Sequence, residues 1–72
     1  MNKISPGQLR KWEMERPPKM CGTFLVVEIV EEKYLIDVYN PGGETLWWIV
    51  QDGRRKMMWE HMILKESKVL NE

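Results

Sequence analysis

Residues 23–58 read TFLVVEIVEEKYLIDVYNPGGETLWWIVQDGRRKMM, and this stretch decides the fold. Three alternating apolar runs are divided by Glu31-Glu32-Lys33 and by Asn40-Pro41-Gly42-Gly43, and a third turn signal, Asp52-Gly53, follows them. Runs of this length, rich in β-branched and aromatic residues and bounded by turn formers, are strands rather than helices. Asp-Gly between two such runs is among the strongest short signals for a hairpin. The reading is therefore a strand over Thr23 to Glu31, another over Lys33 to Tyr39, a third over Glu44 to Gln51, and a fourth over Arg54 to Trp59 that pairs back on the third.

Strand alternation assigns faces within each run. In the first, Leu25, Val27 and Ile29 share one face, and Phe24, Val26, Glu28 and Val30 share the other. In the second, Tyr34, Ile36 and Val38 lie together, and the face bearing Ile36 and Val38 is expected to point inward. Trp47 and Trp48 are adjacent, so only one of them can enter the core.

Outward from this centre, Ser5-Pro6-Gly7 is a turn signal leading into a strand at Gln8 to Trp12. The paired prolines Pro17 and Pro18 forbid helix and make Glu13 to Lys19 a loop. Beyond the hairpin, Glu60-His61-Met62 is expected to form a single 3₁₀ turn plugging one end of the core, with a closing strand near Lys68-Val69-Leu70. No repeat, low-complexity segment or second domain is visible, so residues 1–72 form one domain.

A chain of 72 residues must build an efficient core, because a domain this small buries only roughly 60% of the surface its unfolded chain exposes. Four tryptophans, two tyrosines, one phenylalanine and six methionines supply that bulk. The single cysteine, Cys21, cannot close an intramolecular bridge, which points to a reduced, cytoplasmic protein. No apolar run has the length of a signal sequence or a membrane span, so no membrane is expected among the partners.

Net charge is zero, but the charges are segregated. Residues 1–19 carry +3, residues 28–52 carry −5, and Arg54-Arg55-Lys56 add +3. A neutral chain with separate basic and acidic regions has little long-range repulsion to oppose self-association.

Taken in order, Pro6-Gly7-Gln8-Leu9, the run from Gly22 to Val27, Trp47-Trp48, Asp52-Gly53-Arg54 and the terminal turn with its short closing strand resemble the SH3-like barrel, and small phage-encoded SH3-like domains in particular. The resemblance implies an all-β fold, a small antiparallel barrel of about five strands. It does not imply one activity, because this architecture serves protein, RNA and DNA binding as well as structural roles. Eukaryotic SH3 signalling domains resemble one another in a tyrosine-rich segment and an acidic loop, whereas Gln8 to Lys19 here is basic and has no tyrosine. Polyproline recognition by that groove is therefore not expected.

Catalysis has little to stand on. His61 and Cys21 are the only residues of their kinds, and no serine, aspartate or second histidine stands at a motif spacing that would orient them. One cysteine and one histidine do not make a four-ligand zinc site, and no phosphate-binding or calcium loop is present. No enzyme and no cofactor are expected. The candidate binding residues are the aromatics Trp12, Tyr39, Trp47, Trp48 and Trp59 and the basic hairpin Arg54, Arg55 and Lys56. They suit a small interaction or self-assembly module whose partner is another protein or a second copy of the chain, with RNA or DNA binding as the alternative.

Overall fold

The computed structural model describes residues 3–14 and 21–71. Its five strands are β1 (Leu9–Trp12), β2 (Thr23–Ile29), β3 (Leu46–Gln51), β4 (Arg54–Trp59) and β5 (Ser67–Val69). All neighbours are antiparallel in the order β4-β3-β2-β1-β5, making one unclosed sheet. A helix, α1 (Glu60–Glu66), joins β4 to β5, and a lone 3₁₀ turn lies at Glu32–Tyr34. The fold is thus the small all-β, five-stranded antiparallel architecture expected, with β4 and β5 as its edges.

The hairpin forms as the Asp-Gly signal requires. Asp52 and Gly53 both adopt positive φ, 55° and 73°, which is the backbone of a tight two-residue turn whose twist matches the strands it joins. Gln51 then stands opposite Arg54, and the register runs without a break to Leu46 opposite Trp59.

One face of the sheet carries the core: Trp12, Phe24, Val26, Trp47 and Ile49, closed by Ile4 and by Ile63 of α1. Trp12 packs on Phe24 with ring centroids 4.5 Å apart. Phe24, Val26 and Val30 are the buried residues of their run. Glu28 should share their face by strict alternation, but a bulge intervenes. Val26 pairs with Ile49 and Glu28 with Trp48, so Val27 is the extra residue and the carboxylate is turned to the outer face. A bare carboxylate in so small a core would otherwise cost several kcal/mol, on the order of the whole stability of such a domain.

Arg10 is fully buried on the same inner face. Its Nε donates to Ser67 Oγ at 2.8 Å, and its guanidinium donates to Gln8 Oε1 at 2.9 Å and to the Ser67 and Ile63 carbonyls at 3.3 and 3.4 Å. Gln8 is in turn fixed through Nε2 to the Lys3 carbonyl at 2.7 Å. The arginine therefore ties β1 to the end of α1 and to β5, the two elements furthest from it in sequence.

Two local expectations are corrected. Lys33 to Tyr39 is not a strand: Tyr34 and Leu35 donate backbone bonds to Glu31 and Glu32, Val38 donates to Leu35, and the chain coils as the 3₁₀ turn and a following tight turn. β2 pairs directly with β3, so this segment takes no place between them, and alternation without a partner makes no strand. Ile36, assigned inward, is 83% exposed. The second correction is at Glu60-His61-Met62, which opens a seven-residue α-helix rather than a single 3₁₀ turn. No glycine or proline interrupts Glu60–Glu66, and acidic Glu60 at its start and basic Lys65 near its end suit the helix dipole. The Pro17-Pro18 loop lies outside the described residues.

Candidate interaction surface

The eight residues singled out from sequence do not form one patch. Trp12 and Trp47 belong to the core. Trp47 keeps a polar handle, its Nε1 donating to Glu60 Oε2 at 2.9 Å, while Trp12 Nε1 donates to Gln51 Oε1 at 3.4 Å. Both rings are consumed by packing, so neither serves a surface site. The basic triplet is split by strand alternation: Arg55 projects on the outer face beside Trp48, whereas Arg54 and Lys56 stand opposite Gln51 and Ile49 on the inner side.

Two clusters remain at the surface. In the first, the Arg55 guanidinium lies 4.6 Å over the Trp48 ring and is ion-paired to Glu28 at 2.8 Å. Tyr34 meets the same indole edge-on at 6.0 Å, and Lys33 sits 5.2 Å over the tyrosine. The bulge in β2 makes this cluster, because it places Glu28 directly opposite Trp48.

The second cluster is a hollow of about 290 Å³ between the 39–44 loop and the start of α1. Tyr39, Pro41, Glu44, Trp59 and His61 line it, and Tyr39 is 86% exposed. The loop wall is held locally by Asn40, whose Nδ2 donates to the Glu44 carbonyl at 2.8 Å while its Oδ1 accepts from the Glu44 N–H at 3.0 Å. Across the hollow, Glu44 Oε2 accepts from the His61 backbone N–H at 2.8 Å and contacts His61 Nδ1 at 2.5 Å. The ring of His61 lies 6.4 Å from that of Trp59. One carboxylate thus clamps loop to helix and fixes the spacing of Tyr39 and Trp59.

That clamp sets a pH dependence. The backbone N–H of His61, joined by its side chain, holds the Glu44 carboxyl below its usual value against the opposing effect of partial burial. A carboxylate with a lowered folded pKa stabilises the fold above its unfolded value, and that contribution disappears as the pH falls through the folded one. Wild type is expected to lose melting temperature on acidification through the carboxylate range more steeply than Glu44→Gln, the two curves converging at the acid end. Parallel curves from differential scanning fluorimetry would show that Glu44 does not act this way.

Glu28, Tyr34, Glu44 and His61 were not candidates from sequence. An asparagine at the start of Asn40-Pro41-Gly42-Gly43 is a local signal for a side-chain-stabilised turn, but the reach from Glu44 to His61 is purely tertiary. Among the described residues no cluster of His, Cys, Asp and Glu could hold a metal ion, and no helix is long and apolar enough to cross a membrane. Comparison with family models, curated proteins and solved structures found no match to this chain.

Proposed function

We propose that the chain is a small, non-enzymatic, SH3-like interaction module that grips a protein partner at the hollow between Tyr39 and Trp59. The strand order, with a helical turn between β4 and β5, supports the SH3-like reading. The free thiol of Cys21 suits a reducing, cytoplasmic setting.

The observation that carries the choice of partner is the state of Arg55. A base-stacking site needs an open ring beside an uncommitted cation. Here the cation covers Trp48 and is neutralised by Glu28. Arg10 is buried, and Arg54 and Lys56 face away from Arg55. The open aromatic surface lies instead beside Glu44, which repels phosphate and favours a neutral or cationic peptide with an apolar side chain to insert.

The test is a peptide array probed with the wild-type chain, Tyr39→Ala and Trp59→Ala, alongside titration with a short single-stranded oligonucleotide. The expected result is peptide binding weakened at least tenfold by either substitution, as loss of a central aromatic contact does. Oligonucleotide binding at low salt, with no peptide signal dependent on Tyr39 or Trp59, would overturn the proposal in favour of nucleic acid.

A further inference from the structure

We propose that β4 pairs with β4 of a second copy of the chain, antiparallel and centred on Met57, joining the two sheets into one. This rests on the interaction role above and names one partner for it, through the backbone edge of β4, whose last residue, Trp59, also lines the hollow.

The backbone defines the available groups. Across the two-residue turn, Gln51 and Arg54 form the first hydrogen-bonded pair, so residues 54, 56 and 58 direct their N–H and C=O groups to β3. Arg55, Met57 and Trp59 direct theirs to the open edge. Trp59 is the cap of α1, so its carbonyl belongs to the helix and its N–H remains. No other described strand pairs with this edge.

Symmetry and side chains then select the register. Edge groups meet only if odd-numbered residues face odd-numbered ones, which also keeps the outer faces of both sheets on one side. Centring on Met57 sets Met57 against Met57, Arg55 against Trp59 and Lys56 against Met58 of the other copy. Every basic residue so paired meets an aromatic or apolar partner, and Arg54 comes towards Glu60. Moving the centre to Lys56 sets lysine against lysine, which is destabilising. Moving it to Met58 leaves Arg55 without a partner and spends its bonds on the carbonyl already given to α1.

Basic side chains are the usual defence of an edge strand. On β4 that defence is weakened: Arg55 is drawn sideways onto Trp48 and Glu28, and the chain carries no net charge to keep copies apart. Residues Lys56–Trp59 are only half-exposed, as an edge flanked by a helix would be.

The experiment is solution mass by sedimentation for the wild type and Met57→Pro. Proline at an outward-directed N–H is compatible with an edge strand, so the variant is expected to keep the circular dichroism of the wild type while the mass falls from dimer to monomer. A second pair of variants decides the matter whether or not Met57→Pro folds. With Cys21→Ser in the background, Met57→Cys is expected to form a disulfide-linked dimer on mild oxidation, since facing residues of this kind lie about 5.5 Å apart at Cα. Lys56→Cys, which faces Met58, is expected to form it at least tenfold more slowly. A wild type that stays monomeric at millimolar concentration, or equal cross-linking of the two cysteine variants, would overturn the proposal. Peptide binding at Tyr39 and Trp59 is read separately, so the dimer can fail while the interaction role stands.

Discussion

Trp12→Ala is expected to remove most of the stability of this domain. The indole is 1% exposed, packs on Phe24 at 4.5 Å and donates to Gln51, whose Nε2 in turn donates to the Cys21 carbonyl. Truncating a fully buried tryptophan costs about 3–5 kcal/mol, against roughly 4–11 kcal/mol available to a domain of this length. Loss of the indole also frees Gln51 from one of the two bonds that hold it between β1 and residue 21. Trp48→Ala, on the outer face beneath Arg55, removes only a half-exposed ring and its cation contact, and is expected to cost about 1 kcal/mol. Guanidinium denaturation of both variants checks the contrast. Equal losses would mean that the two faces of the sheet have been assigned wrongly.

Arg10→Ala is expected to be nearly as damaging, and its neighbour Lys11→Ala nearly silent. Removing the guanidinium strips donors from the Gln8 side chain and from the hydroxyl and carbonyl of Ser67, all in the interior, while the Ile63 carbonyl keeps the Ser67 hydroxyl as its donor. Each buried acceptor left unsatisfied costs about 1–3 kcal/mol, so a total of roughly 3 kcal/mol or more is expected. Arg10→Met keeps most of the packed stem but none of the donors, and Arg10→Lys keeps the charge without the planar fork. Both should fall between wild type and alanine if the hydrogen bonds and the packing each contribute. Lys11, one residue on, points to the outer face opposite Thr23 and Lys68, where substitutions are usually worth within about 0.5 kcal/mol. An Arg10→Ala protein as stable as wild type would show that the buried arginine is dispensable to the join between β1, α1 and β5.

The contrast between these neighbours shows how far a period-two pattern reaches. Alternation in Gln8 to Trp12 separates Arg10 and Trp12 from Leu9 and Lys11, and the structure keeps that division. The usual preference for charge outside and apolar side chains inside cannot seat an arginine and a tryptophan on the same side. The conflict is resolved by Gln8 two residues before it and by Ser67 and Ile63, more than fifty residues later, which offer the arginine oxygen acceptors inside the core. The same limit applied to Trp47 and Trp48. Their opposite orientation followed from adjacency, but the choice of Trp47 as the inward ring followed from register with Met58 and from the Glu60 carboxylate waiting for its N–H.

The functional surface was less legible than the fold. Tyr39 and Trp59 were both candidates, but nothing local joins residues twenty positions apart. They meet because the Glu44 carboxylate reaches His61 and because the segment expected as a strand at Lys33 to Tyr39 finds no partner in the sheet and is left to fold as a loop. Arg54, Arg55 and Lys56 looked like one basic tip in sequence and are two separate faces in space, divided by the alternation of β4.

By itself the amino-acid sequence determined the elements that depend on neighbours along the chain. These are the Asp52-Gly53 turn with its two positive φ angles, β4 from Arg54 to Trp59, the strands before and after it, and the all-β class. Turn chemistry and strand periodicity act over a few residues, so their causes are written beside their effects. Tertiary structure alone decided which face of each strand is buried, where the bulge turns Glu28 outward, and how Arg10 is accommodated. It also decided that Tyr39, Glu44, Trp59 and His61 share one hollow. Each of these depends on pairing and burial between distant segments, and a partner's position is information that no local pattern contains.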